Sequence, residues 1–293
     1  MIELMLGDCL DILPTIASES VDAAIMDPPY PHIKRDYGYW TTEEWWAMMM
    51  TVCAETRRIL KPTGSAVFIL QPNSEHVGQM RGWLWEFMAW VCREWNMVQD
   101  AWWWNITTVP TGGATQHGLM RASVKACVWA GVPECYRNQS AALWKESMQA
   151  RYRRTVRRAS PEIYDKVRTT PSGQSQNLYT MQDAAERRGG VTPYNLLPFP
   201  NCGPKCSGSI TGHGAGTPLE LVDWWTRYIC PPGGTVADWF MGSGTMGIAA
   251  TQNGCSFVGI EKEDRPGFYP TAVERIEEAR AQYQPALEGL EAR

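Results

Sequence analysis

A short apolar run, Val21-Asp22-Ala23-Ala24-Ile25-Met26, ends directly in Asp27-Pro28-Pro29-Tyr30. No other junction in the chain constrains the fold as tightly. The run has the length and make-up of a buried parallel strand. An acid, two prolines and an aromatic ring therefore fall at a strand's carboxyl end, where open α/β sheets place their ligands. Consecutive prolines fix φ and remove two backbone donors while leaving the carbonyls. The product is a rigid hook of carboxylate, carbonyl and flat ring, suited to a planar group that carries an NH2. A plain strand followed by a Pro-Pro turn is the rival reading.

Apolar runs and amphipathic segments alternate on both sides of the hook. Strands are expected at 2–6, 65–70, about 97–104 and 123–130. A helix is expected from Thr42 to about Leu60, with Thr42 as cap and Glu43-Glu44 as an acidic first turn. Another covers about 75–94, with Trp83, Leu84, Phe87, Met88, Val91 and Cys92 on one side. Strand, helix, strand, helix at these spacings predicts parallel βαβ units. From about 131 to 195 the periodicity fades and the chain turns polar and basic. Order resumes with a helix from Pro218 to Ile229, a strand over 234–240, a helix from Gly244 to Asn253, a strand over 256–261 and a last helix over about 268–284. The expectation is one α/β domain in two halves, 1–130 and 201–293, with 131–200 inserted between them.

Composition bounds the class. Hydrophobic content of 44% and charged content of 20% over 293 residues fit a globular chain. The first residues lack the basic start and apolar core of an export signal. The apolar stretch from Trp83 to Trp95 contains Glu86, Arg93 and Glu94, so it makes a poor membrane span. Nine scattered cysteines are then expected to be reduced thiols in a cytoplasm. Fifteen tryptophans, including Trp45-Trp46 and Trp102-Trp103-Trp104, are expected mostly in the core. The net charge of −4 is unevenly spread. Between Arg137 and Arg168 nine basic residues face three acidic ones. Such an island on an acidic protein is an electrostatic footprint for a polyanion, a solvated helix face being the alternative.

A second constellation lies near the end. Asp238-Trp239-Phe240-Met241-Gly242-Ser243-Gly244-Thr245 reads as a strand, a glycine turn and a helix start. Glycines let a backbone approach a ligand closely, and a helix N-terminus offers free N–H groups. Gly247 completes the dinucleotide spacing only formally. Glu261 ends the next strand, 17 residues beyond Gly244, where an acid can bind both hydroxyls of a ribose. Cys202, Cys206 and His213 do not make a complete four-ligand zinc set, so no metal is expected.

The Asp27-Pro28-Pro29-Tyr30 hook, the loop from Phe240 to Thr245 and Glu261 together resemble the DNA amino-methyltransferases that use S-adenosylmethionine. The hook precedes the loop with a basic insert between them, an order similar to the β class of that family. The resemblance implies a Rossmann-like methyltransferase fold in circularly permuted order, with a mostly parallel sheet and helices on both faces. It implies that 1–130 carries the catalytic half, 131–200 target recognition, and 201–293 the cofactor half of the same domain. Asp27 and the Pro28 carbonyl, backed by Pro29, then hold the target amine, and Tyr30 stacks on a flipped base. Asp238, Phe240, Gly242, Ser243, Gly244 and Thr245 line the cofactor, and Glu261 binds its ribose. Asp8 is similar to the acid that meets the cofactor adenine, with a structural N-cap as the alternative. Thr217 stands where the family commonly writes lysine. DNA is the implied partner, a homodimer is admitted, and a membrane is not. Arg151, Arg153, Arg154, Arg157 and Arg158 are candidate phosphate contacts. His32 and Lys34, just after the hook, either touch DNA or are loop residues.

The implied reaction is methyl transfer to the N6 amine of adenine, with N4 of cytosine as the alternative. The lean to adenine rests on Asp at position 27, where many cytosine enzymes carry Ser. A base amine is a weak nucleophile because its lone pair is delocalised, and acceptors on both N–H groups localise it. A base inside a duplex is out of reach and must be flipped out. A catalytically inactive DNA-binding relative and a nicotinamide-dependent reductase are the rival classes. The intact hook argues against both.

Overall fold

The computed structural model describes residues 1–34, 38–108, 116–145, 187–201, 216–262 and 267–291. The strands are β1 (Ile2–Leu6), β2 (Val21–Met26), β3 (Leu60–Leu70), β4 (Ser74–His76), β5 (Gln79–Met80), β6 (Met97–Gln99), β7 (Trp102–Asn105), β8 (Val124–Gly131), β9 (Leu196–Phe199), β10 (Thr235–Asp238) and β11 (Ser256–Glu261). Among the described residues nine of them form one sheet in the order β1-β11-β10-β2-β3-β8-β7-β9, with β6 also on β8. The first five strands in that order are mutually parallel. Their carboxyl ends therefore share one edge.

The other half of the sheet departs from simple βαβ winding. β8 runs antiparallel to β3, β6 and β7, and only β7–β9 is parallel again. The expected strand over 97–104 is split into β6 and β7. The chain enters β6 through Asn96 at φ 120°, after the short π-helical turn Val91–Trp95.

Helices cover both faces: α1 (Cys9–Ile12), α2 (Thr42–Ile59) and α3 (Trp83–Trp90) on one, α4 (Leu219–Ile229), α5 (Thr245–Gln252) and α6 (Phe268–Glu291) on the other. Strand residues alternate between the two cores. Ile25 and Val67 pack with Trp225, Ile248 and Ile276 on one side, while Met26 and Phe68 pack with Trp45, Met49 and Phe87 on the other. This is the period-2 alternation of a sheet buried on both faces.

Local chemistry explains the helix limits. α2 starts at a capping box, in which the Thr41 hydroxyl accepts from Glu44 N at 3.2 Å and Glu44 Oε2 accepts from Thr41 N at 2.8 Å. The cap is thus Thr41, one residue before the expected Thr42. α3 begins at 83 rather than 75, because residues 74–80 form the β4–β5 hairpin and are exposed. Trp45, Trp83, Trp103, Trp129, Trp144, Trp225 and Trp239 are fully buried, as expected of core tryptophans.

The region expected to be inserted is tied to the sheet at both described ends. β9 pairs with β7, and Cys135, Ala142, Trp144, Leu197 and Phe199 join the core on the α4 side. No helix among the described residues is long and apolar enough to cross a membrane.

Candidate active site

The hook and the glycine loop leave adjacent parallel strands, with Ala23 and Ala24 of β2 opposite Val236 and Ala237 of β10. Asp27 and Asp238 therefore emerge side by side. A cavity of about 840 Å³ opens at this edge. Asp27, Pro28, Pro29 and Tyr30 line one part of it, and Asp238, Phe240, Gly242, Ser243 and Thr245 another. Asp8 and Glu261 reach it from β1 and β11. Of the expected site residues, Gly244 lies off the cavity wall. At φ 80° it precedes α5, and a Cβ there would sit 3.0 Å from Ala272 and Ile276 of α6. Its role is a left-handed turn under close packing.

The hook is held from all sides. Trp45 Nε1 donates to the Pro29 carbonyl at 2.7 Å, while the Pro28 carbonyl accepts no hydrogen bond among the described residues. The Tyr30 hydroxyl donates to Asp27 Oδ1, and its ring stacks at 23° on Trp83, with centroids 6.5 Å apart. The Thr217 hydroxyl donates to Asp27 Oδ2 at 2.7 Å. Lys125 Nζ lies 3.1 Å from the Tyr30 hydroxyl and 3.6 Å from Asp27 Oδ2. Thus Thr217 meets the hook directly, and a lysine reaches the site from β8. Lys125 carried no sequence signal, being one cation at the start of an apolar strand.

The loop side is acidic. Phe240 N donates to Asp238 Oδ1 at 2.9 Å, and Gly242 N donates to Glu261 Oε2 at 2.6 Å. Asp238 is fully buried and its Oδ2 has no partner among the described residues. Burial holds its carboxyl well above the usual value, the Phe240 amide opposes this, and the charges of Glu261 and Asp27 push it further up. Asp8 caps α1 through Leu10 N at 3.0 Å and pairs with Lys262 at 2.8 Å. Burial raises its carboxyl, but the Lys262 and Leu10 interactions outweigh that and leave it below the usual value. The structural cap and the place in the cavity wall are therefore both present.

Other expected residues stand apart. His32 and Lys34 flank the cavity without lining it. The His32 ring nitrogens meet the Tyr39 and Thr42 hydroxyls at 2.9 and 2.8 Å, and Lys34 is exposed. Arg151, Arg153, Arg154, Arg157, Arg158, Cys202, Cys206 and His213 lie outside the described residues. Cys9 borders the cavity, yet burial pushes its thiol up to about 12, so it is a poor thiolate nucleophile.

A profile for the family N6_N4_Mtase, DNA methylase, matches residues 21–266. The type II methyltransferase M.PvuII of Proteus hauseri is 22% identical over 281 residues, which cover 88% of this chain and 79% of that protein. Among solved structures, the cytosine-N4-specific PvuII DNA methyltransferase superposes with a TM-score of 0.67 at 18% identity, covering 98% of this chain and 92% of that one. The M1.HpyAVI–SAM complex superposes with a TM-score of 0.54 at 18% identity, covering 94% and 99%. With the profile spanning most of the chain, from β2 through β11, this protein belongs to the N6/N4 family of DNA methylases, the amino-methyltransferases of DNA that depend on S-adenosylmethionine.

Proposed function

We propose that the cavity joins a cofactor half, built on β10 and β11, to a base half, built on β2, and that the enzyme methylates the N6 amine of adenine in DNA. The observation that carries the cofactor assignment is the placing of Asp238 and Glu261 on the glycine loop, each holding one of its amides. The Gly242 amide, which a dinucleotide fold would offer to a pyrophosphate, is already committed to Glu261. An amide so committed cannot take a phosphate oxygen, and the Glu261 carboxylate beside it suits a ligand that brings hydroxyl donors and a cationic centre. Bound S-adenosylmethionine supplies a methyl group on a positively charged sulfur. Asp238 and the Phe240–Ser243 backbone would hold its methionine and adenosine parts, Glu261 its ribose and Asp8 the adenine side. Gly242 has φ 53°, and a Cβ there would meet nothing nearer than the Phe240 carbonyl at 4.0 Å, which suits close approach of a ligand to the loop.

The hook supplies two acceptors for one amine, Asp27 and the Pro28 carbonyl. With both N–H groups engaged, the nitrogen lone pair is localised and aimed toward the cofactor half. Holding both partners in this geometry supplies much of the acceleration. After transfer the nitrogen carries one proton too many, and Asp27 is the carboxylate beside it to receive that proton. The Tyr30 and Thr217 hydroxyls orient Asp27 without occupying all four of its lone-pair sites.

Asp at position 27 supports adenine. Similarity to a cytosine-N4-specific enzyme supports cytosine N4 as the second reading. Incubating unmodified DNA with the enzyme and labelled S-adenosylmethionine, then digesting to nucleosides for mass spectrometry, separates them. N6-methyladenine is expected, and N4-methylcytosine as the main product overturns the adenine assignment alone.

A further inference from the structure

We propose that Lys125 donates a hydrogen bond to the ring nitrogen beside the target amine, so that the hook and Lys125 together read an amidine edge. The inference rests on the amine-transfer reading above. Lys125 opens β8 with its side chain 15% exposed. Its Nζ lies 5.0 Å from the ring centroid of Trp103, its cross-strand neighbour, and it faces the cavity. Burying an ammonium is costly unless it is paired, and here the fold accepts that cost within hydrogen-bonding distance of the hook. An ammonium has three donors. One goes to the Tyr30 hydroxyl at 3.1 Å and one points to Asp27 Oδ2 at 3.6 Å, which leaves one for a ligand in the cavity.

The pattern of acceptors and donor selects a base. Asp27 and the Pro28 carbonyl accept from an amine, and Lys125 beside them donates to whatever adjoins that amine. Adenine presents N6 beside unprotonated N1, and cytosine presents N4 beside unprotonated N3. Guanine presents its amine between N1–H and N3, so on its Watson–Crick edge Lys125 would set a donor against a donor and only the N3 side next to the sugar offers an acceptor; thymine has no amine. Donation to the ring nitrogen draws density from the amine, so Lys125 seats and selects the base while Asp27 and Pro28 activate it.

A two-by-two comparison tests this. Duplexes carry at the methylated position either the natural base or its analogue with the neighbouring ring nitrogen replaced by C–H, 1-deazaadenine or 3-deazacytosine. Wild type and Lys125→Met are assayed on each, and cofactor calorimetry verifies that the variant site is intact. Wild type should lose about 10- to 100-fold in kcat/KM on the analogue, the range of a charged hydrogen bond. Lys125→Met should lose as much on the natural base and little more on the analogue. The altered basicity of the analogue affects both enzymes equally and cancels in the cycle. Lys125→Arg should restore part of the discrimination. Equal losses on the analogue in wild type and Lys125→Met overturn the proposal, as does an indifferent wild type, while methylation of the natural base keeps the amine-transfer reading intact. Absence of methyl transfer to either amine by wild type overturns both. A Lys125→Met protein that no longer binds cofactor leaves the Lys125→Arg arm to decide, since an arginine that folds yet shows no discrimination also overturns it.

Discussion

Thr217 and Asp27 stand 190 residues apart and are joined by a 2.7 Å hydrogen bond from the threonine hydroxyl to Asp27 Oδ2. The bond ties the segment before α4 to the hook after β2, so two halves of the chain meet on one carboxylate. Thr217 is 5% exposed, and water is a poor substitute for its hydroxyl. Thr217→Val keeps the volume and removes the donor. It should lower kcat about tenfold, the scale of one buried hydrogen bond, and leave cofactor affinity unchanged. Thr217→Ser should restore most of the rate. Unchanged kcat in the valine variant would mean that the bond does not orient Asp27.

Gly242 and Gly244 should respond differently to substitution. Gly242→Asp places a carboxylate beside Glu261, the partner of its own amide, and should abolish cofactor binding by calorimetry. Its φ of 53° strains a side chain, but aspartate tolerates left-handed backbone and the Cβ would meet nothing nearer than 4.0 Å, so the loss of fold should be the smaller of the two. Gly244→Ala puts a Cβ into a left-handed residue 3.0 Å from α6. It should cost about 1–3 kcal/mol in denaturant unfolding. Equal effects of both variants on stability would contradict this division of roles.

Asp238 should make stability depend on pH. Its folded carboxyl is raised, chiefly by burial, so the protonated form is favoured in the fold. Its contribution is fully present below the unfolded value, about 3.9, and is lost as pH rises through the folded value. Asp238→Asn keeps an acceptor for Phe240 N and cannot ionise. Relative to wild type the variant should gain stability progressively as pH rises above that unfolded value, measured by urea unfolding of the cofactor-free proteins. A pH-independent difference between them would contradict the buried, raised carboxyl.

Much of this site was legible because its chemistry is local in sequence. The hook, the glycine loop and Glu261 each follow an apolar run directly, and parallel pairing brings such ends to one edge without further information. Strand direction was not legible in the same way. β8 is buried on both faces once it passes Lys125, so its unbroken apolar run has the pattern of a parallel strand although it runs antiparallel to β3. The start of α3 was misplaced because 75–82 could be appended to a strong apolar face, whereas Gln79 and Met80 turn back to pair with residues 74–76. Lys125, and the contact that Thr217 makes with the hook, were hidden for a different reason. Each side chain reaches Asp27 only through tertiary packing, across separations that no local spacing reports.

The arginine-rich segment should carry the phosphate contacts. Replacing Arg153, Arg154, Arg157 and Arg158 with alanine should weaken DNA binding and flatten its salt dependence, by about 0.9 in log–log slope for each phosphate no longer neutralised. Fluorescence titrations with a labelled duplex across a salt series measure this. An unchanged slope would mean that these side chains do not meet the phosphates.

The most direct test of the central claim compares wild type with Asp27→Ala on unmodified DNA, pairing nucleoside mass spectrometry with cofactor calorimetry. Asp27 is assigned to the amine and not to the cofactor. Wild type should yield N6-methyladenine, and Asp27→Ala should yield no methylated nucleoside while binding S-adenosylmethionine as tightly as wild type. Normal turnover by Asp27→Ala at saturating cofactor, or a collapse of its cofactor affinity, would contradict the placement of the amine at the hook.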